Sequence, residues 1–158
     1  MADDASVDDR WPAKRFKVGR VQRVANTVIG ALASWGLVPH TYTLTVRGRK
    51  TGRLHSTPVT LVETGDEKWL VAPYGPVHWV LNAREAGRVT LSRRRMSSDY
   101  DVRELPPEEA APVLQQYVQV ASATRSYFAA SKDAPVGDFL KEAHQHPVFA
   151  LVPTSNRT

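Results

Sequence analysis

The sequence predicts an α+β fold, an antiparallel β-barrel with one helix before it and helices after it. Three observations lead there. Five β-type segments between residues 41 and 103 are separated by tight turns or by one short helix, so they read as sequential hairpins. Strands do not alternate with long helices, which argues against a doubly wound parallel sheet. A last apolar segment, Pro147 to Val152, follows the helices and offers the barrel one more strand.

In chain order, residues 1–11 read as a disordered tail and residues 12–158 as a single domain. Met1 to Asp9 is acidic and polar, unlike a signal peptide. Val21, Val24, Val28, Ala31, Leu32 and Trp35 recur at helical spacing, which predicts a helix from Pro12 to Gly36. Lys14, Arg15, Lys17, Arg20 and Arg23 crowd its first half. Such a helix can touch an anionic membrane peripherally, but a helix packed on the domain with its cations in water is the plainer reading and is preferred.

Thr41 to Val46 alternates and is rich in Thr, Tyr and Val, as a strand is. Gly48 to Gly52 is a glycine-flanked turn, His55 to Glu63 the second strand, Thr64 to Asp66 a turn and Lys68 to Pro73 the third strand. Proline at 58 and 73 implies an irregular or edge position at each. His78 to Glu85 forms a short helix stopped by Gly87. Arg88 to Arg93 and Ser98 to Arg103 are strands joined at Arg94 to Ser97. Pro106-Pro107-Glu108-Glu109 opens a helix running to about Ala123, because a first turn accepts proline and favours acids. A second helix covers Val136 to His144.

Composition narrows the function. The 158 residues, 42% hydrophobic and 23% charged, suit one globular core. With no cysteine, disulfides, thiolate nucleophiles and cysteine metal sites are excluded, and a cytoplasmic location fits. No apolar run is long enough to span a membrane. The formal charge of +5 favours anionic partners. The sequence lacks a Walker loop, a G-x-G-x-x-G turn, a G-x-S-x-G elbow and H-E-x-x-H. No metal site is expected, since only His144 and His146 of the five histidines lie close together.

Three features bear chemistry. Arg47 to Arg53 packs four cations, one hydroxyl and two glycines into a turn, a pattern suited to phosphate or carboxylate. A solvated hairpin is the rival reading. In Ala72 to Asn82 a strand ends in a Pro/Gly loop and a helix begins, with Tyr74, His78 and Trp79 supplying flat surfaces for a conjugated ring. Here a core Trp79 and a satisfied Asn82 are the rivals. The third is Arg93-Arg94-Arg95, with Arg84 and Arg88 upstream. No interleaved aromatic platform accompanies these arginines, so nucleic acid is not the expected partner.

Together these segments resemble the actinobacterial deazaflavin (coenzyme F420)-dependent nitroreductase family. The resemblance rests on Gly48-Arg49-Lys50-Thr51-Gly52, Thr57-Pro58-Val59, Trp69-Leu70-Val71-Ala72 and Trp79-Val80-Leu81-Asn82-Ala83. It implies a split β-barrel of the FMN-binding, pyridoxamine-phosphate-oxidase-like kind. It also implies coenzyme F420, an 8-hydroxy-5-deazaflavin whose phosphodiester and oligoglutamate tail would meet Arg49, Lys50 and Thr51. His55, Thr57, Pro58 and Val59 would lie along the ring, with Ala72, Pro73, Tyr74, Gly75, Trp79 and Asn82 completing the coenzyme site.

The implied reaction is hydride transfer from reduced deazaflavin to a quinone, an enone or a nitroaromatic. Tyr74 and His78 are the candidate catalytic residues, and His55, Tyr117 and Tyr127 are further candidate proton donors. Two departures from the family pattern stand out. Tyr74-Gly75-Pro76-Val77 replaces a longer lysine-containing loop, and His55 stands where an arginine is usual. The segment from Tyr117 to His146 is longer and more helical, and would act as a lid. The rival readings are a split barrel binding FMN, FAD or haem, and a non-catalytic coenzyme- or lipid-binding protein. A monomer or loose homodimer is expected.

Overall fold

Strand β1 (Thr41–Arg47) and strand β2 (Leu54–Thr64) form the first hairpin of the computed structural model, which describes residues 40–154. The expected helix over residues 12–36, and any membrane contact through it, lies outside the described residues. Strand β3 (Glu67–Val71) follows the Gly65 turn, and helix α1 (His78–Ala86) follows a loop. Strands β4 (Arg88–Arg93) and β5 (Met96–Glu104) make a second hairpin. Helix α2 (Pro107–Val120), a 3-10 segment (Ser122–Tyr127), helix α3 (Val136–Glu142), a short 3-10 turn (Ala143–Gln145) and strand β6 (Val148–Pro153) complete the chain.

All pairings are antiparallel, and the strands close into a barrel in the order β1-β2-β3-β6-β5-β4. The sheet divides two apolar clusters, because successive side chains on a strand point to opposite faces. Leu61, Leu70 and Phe149 face the barrel interior with Val80 and Ala83 of α1. Their neighbours Val62, Val71 and Val148 face outward, where Leu114, Val118 and Phe139 of α2 and α3 cover them. No helix of the described residues is long and apolar enough to cross a membrane.

Pro58 occupies an edge, as read from the sequence. Strand β2 pairs with β1 through Leu54–Thr60 and with β3 only from Leu61 onward. The other edge of its first half has no strand neighbour among the described residues, so a missing N–H costs no ladder bond there. Pro73 lies beyond β3, which ends at Val71.

Other element ends moved for local reasons. Strand β5 starts at Met96, since Arg94 takes the left-handed conformation (φ 56°) and closes the hairpin in two residues. Helix α2 stops at Val120 rather than Ala123. The Arg125 side chain turns back, its Nε donating to the Val118 carbonyl (2.5 Å) and Nη2 to that of Gln119 (3.1 Å). A side chain thus takes up carbonyls that a continuing helix would have used. The helix expected over Val136 to His144 tightens to a 3-10 turn at Ala143.

Gly87 ends α1 in the left-handed region (φ 69°), its N–H bonded to the Ala83 carbonyl at 2.8 Å. A Cβ there would meet nothing within 4 Å, so only backbone strain opposes one. Gly87→Ala should therefore cost about 1 kcal/mol with an unchanged denaturant slope. A urea midpoint equal to the parent's would show that the strain argument fails here.

Candidate functional site

A cleft of about 1060 Å³ runs beside the open edge of β2. One side is the turn between β1 and β2. There the Gly48 N–H bonds to the Arg53 carbonyl (2.7 Å) and the Gly52 N–H to the Gly48 carbonyl (2.9 Å). Gly52 needs its positive φ of 72°. Gly48 serves another purpose: a Cβ there would come within 2.8 Å of His55 Nε2 and 3.2 Å of the Arg53 carbonyl oxygen. The imidazole therefore packs against bare backbone.

Buried Asn82 of α1 fastens this turn. Its Oδ1 accepts the Arg49 backbone N–H (3.1 Å) and Arg49 Nη1 (2.8 Å). Asn82 is thus satisfied, as the plainer sequence reading had it, and is also part of the cleft lining. The Thr51 hydroxyl accepts the Arg53 N–H at 3.3 Å, and Arg47 Nη1 donates to the Gly52 carbonyl. Arg49, Lys50 and Arg53 all line the cleft. Among the described residues, no Asp or Glu lines it.

His55 to Thr60 line the cleft consecutively rather than at every second position. An open strand edge has this effect, since both faces and the backbone border the same space. Pro73, Tyr74, Val77, His78 and Trp79 form the next wall. His78 is exposed in the first turn of α1, which has no side-chain cap. Trp79 rests against Phe149 of the barrel interior, ring centres 6.1 Å apart.

Of the residues anticipated from sequence, only Ala72 and Gly75 lie behind the lining. Ala72 is buried in the barrel core, its N–H bonded to the Pro147 carbonyl (2.9 Å). Gly75 shapes the loop instead, with φ 86° and a bond to the Ala72 carbonyl.

The far wall comes from α2 and the 3-10 segment. Tyr117, Ala121, Ser122, Thr124 and Tyr127 line it. Tyr74 and Tyr127 meet edge to face with centroids 4.7 Å apart. Burial, reinforced by Tyr127, raises the Tyr74 pKa, and burial raises that of Tyr117 strongly, so both remain hydroxyl donors at neutral pH. The Thr124 hydroxyl bonds to the Tyr117 hydroxyl at 3.1 Å. Sequence reasoning reached Tyr117 and Tyr127 but not Ser122 or Thr124, which follow no helical or strand period. Arg53 and Ser56 were within reach, since they continue the basic turn and the strand already singled out.

Three arginines outside the cleft, Arg84, Arg88 and Arg93, have structural partners. Arg84 makes a forked bond to Glu104 (2.6 and 3.1 Å), Arg88 pairs with Asp101, and Arg93 lies 5.5 Å from the Tyr42 ring centre.

A family model described as F420H(2)-dependent quinone reductase matches residues 13–137, and the chain belongs to that family. It is accordingly a deazaflavin-dependent reductase. Among solved structures, an F420-H2 dependent reductase is 21% identical with a TM-score of 0.52, over 73% of this chain and 96% of that one. A structure described as a domain-swapped dimer is 18% identical with a TM-score of 0.52, over 83% and 96%. A heme binding protein from Mycobacterium smegmatis is 12% identical with a TM-score of 0.51, over 78% of this chain and 50% of that one. At these identities the likeness is one of fold, the split β-barrel.

Asn82→Ala should release the turn from α1. Leaving Arg49 without that acceptor should cost about 1–3 kcal/mol, with faster hydrogen exchange at residues 49–52. Exchange there at the parent's rate would mean that the tether does not hold the turn.

Proposed function

We propose that the cleft holds the deazaflavin coenzyme F420 with its anionic tail on the 48–53 turn, and that the acceptor is an electron-poor organic molecule. A quinone is the first candidate, ahead of enones and nitroaromatics. The observation that carries the reading is the lining itself: three cations, flat apolar surface and no carboxylate among the described residues. Such a surface suits a polyanionic ligand with a conjugated ring.

When bound, the reduced coenzyme supplies a hydride from C5 of its ring. The protein's part is to bind, orient and exclude water. Lys50 and Arg53, at the exposed mouth, attract the tail, while Arg49 is held in place by Asn82. The Thr51 hydroxyl and the turn's backbone stand beside them. His55, Thr57, Pro58 and Val59 offer the open edge of β2 to the ring, and Trp79 backs it. Ala72 and Gly75 act from behind, holding the loop that carries Pro73 and Tyr74. Tyr74 and Tyr127 present phenols to an acceptor carbonyl, and His78 stands at the start of α1 as a further donor. We take the protein to act as a monomer or loose homodimer.

Binding of oxidised coenzyme, followed by fluorescence at low and moderate salt beside FMN, FAD and haem, tests the cofactor. Micromolar or tighter deazaflavin binding is expected, weakening with salt. Lys50→Ala should raise Kd about tenfold, the loss of one charge-assisted contact. Preference for FMN, FAD or haem would replace this reading with the flavin or haem one.

Steady-state reduction of menadione by the reduced coenzyme tests the donors. Tyr127→Phe and Tyr74→Phe should each lower kcat/KM about tenfold with coenzyme Kd unchanged. Unchanged turnover in a variant removes that tyrosine from the mechanism. Tight binding without reduction of any quinone, enone or nitroaromatic would favour a sequestering protein.

A further inference from the structure

His146 has no solvent exposure. One ring nitrogen lies 3.0 Å from the Pro73 carbonyl oxygen and the other 2.8 Å from Glu142 Oε1. Phe128 stacks on the ring at 4.1 Å. Glu142 is itself buried, and its two oxygens accept the backbone N–H groups of Ala129 (3.0 Å) and Ala130 (2.7 Å).

The attachment points matter. Pro73 immediately precedes Tyr74, and Phe128 to Ala130 immediately follow Tyr127. The rings of Tyr74 and Tyr127 meet in the cleft lining. The buried pair therefore grips the backbone on both sides of that ring contact. Burying ionisable groups is costly, and apolar side chains would often stabilise such a place as well. Their use here fits a need for defined geometry. Burial opposes the Glu142 charge, but hydrogen bonds from His146 and from the Ala130 and Ala129 N–H groups outweigh it and lower its pKa.

We propose that His146 and Glu142 are positioning residues which fix how Tyr74 and Tyr127 meet, and so the shape of the acceptor end of the cleft. The proposal rests on the reading of that end as the acceptor site. His146 ties down the loop that carries Tyr74, and Glu142 ties down the segment that carries Tyr127. The pair touches neither ligand; it acts through the two tyrosines.

The test uses the full chain with His146→Phe, which keeps a stacking ring and loses both hydrogen bonds, and Glu142→Gln, which keeps one acceptor oxygen. Gly87→Ala, destabilised at the C-terminal end of α1 and outside the cleft lining, is the control. In the coenzyme-free protein, exchange of the 128–130 amides should quicken about tenfold in both variants and not in the control. With menadione and reduced coenzyme, KM for menadione should rise about tenfold in His146→Phe and less in Glu142→Gln. The kcat value and the oxidised-coenzyme Kd should stay within about twofold. If His146→Phe does not fold, Glu142→Gln carries the test alone. Variants that match the control in exchange and in menadione KM would reduce the pair to a stability element and overturn the proposal. A parent chain that binds no deazaflavin would instead overturn the function on which it rests.

Discussion

A sheet becomes a barrel only when its edges are paired, and here β6 joins the edges of β3 and β5. It lies between β3 and β5 and pairs antiparallel with both. Phe149 and Leu151 fill the interior, while Val148 and Ala150 turn outward to the helices. Without β6 the inner cluster would lose a wall and the outer cluster its floor. The same return of the chain places the Pro147 carbonyl on the Ala72 N–H and the His146 ring on the Pro73 carbonyl. The loop bordering the cleft is therefore shaped by residues more than seventy positions away in the chain.

Charge is divided as sharply as apolar surface. Arg84, Arg88 and Arg103 each face a carboxylate, so their fields are largely cancelled locally. The cations of the 48–53 turn stand in a cleft whose described lining has no carboxylate. The net charge of +5 is thus less informative than where the negative charges are missing. A cation-lined cleft of this kind needs no unusual residue, only a segregation of ordinary ones.

Much of this was legible in the sequence because local rules govern it. Gly52 and Gly65 mark turns, Gly87 caps α1, and Pro58 signals a strand edge before any partner is known. The motif around Arg49 and Lys50 marked the cationic end of the cleft. The far wall was less legible. Ser122–Tyr127 has no period to read, and its course depends on Arg125 reaching back to α2. The double role of Asn82 was equally hidden, since it depends on a turn thirty-three residues earlier coming to meet it. His144 and His146 looked like one pair in sequence, yet the structure leaves His144 exposed and seals His146 inside. Burial of that kind is a tertiary outcome that no local pattern announces.

The position of β6 also has a kinetic consequence. Its partners, Leu70 on β3 and Val102 on β5, are made at different times and held apart until a long loop closes. Loop-closure entropy must be met before those contacts repay it, so ring closure is the natural slow step of folding. Until then β3 and β5 each present a bare edge, the kind that pairs with whatever strand arrives first. Another copy of the chain can supply that strand as well as its own C-terminal segment can. Yield of the native barrel is thus a race between an intramolecular event, indifferent to concentration, and an intermolecular one that grows with it.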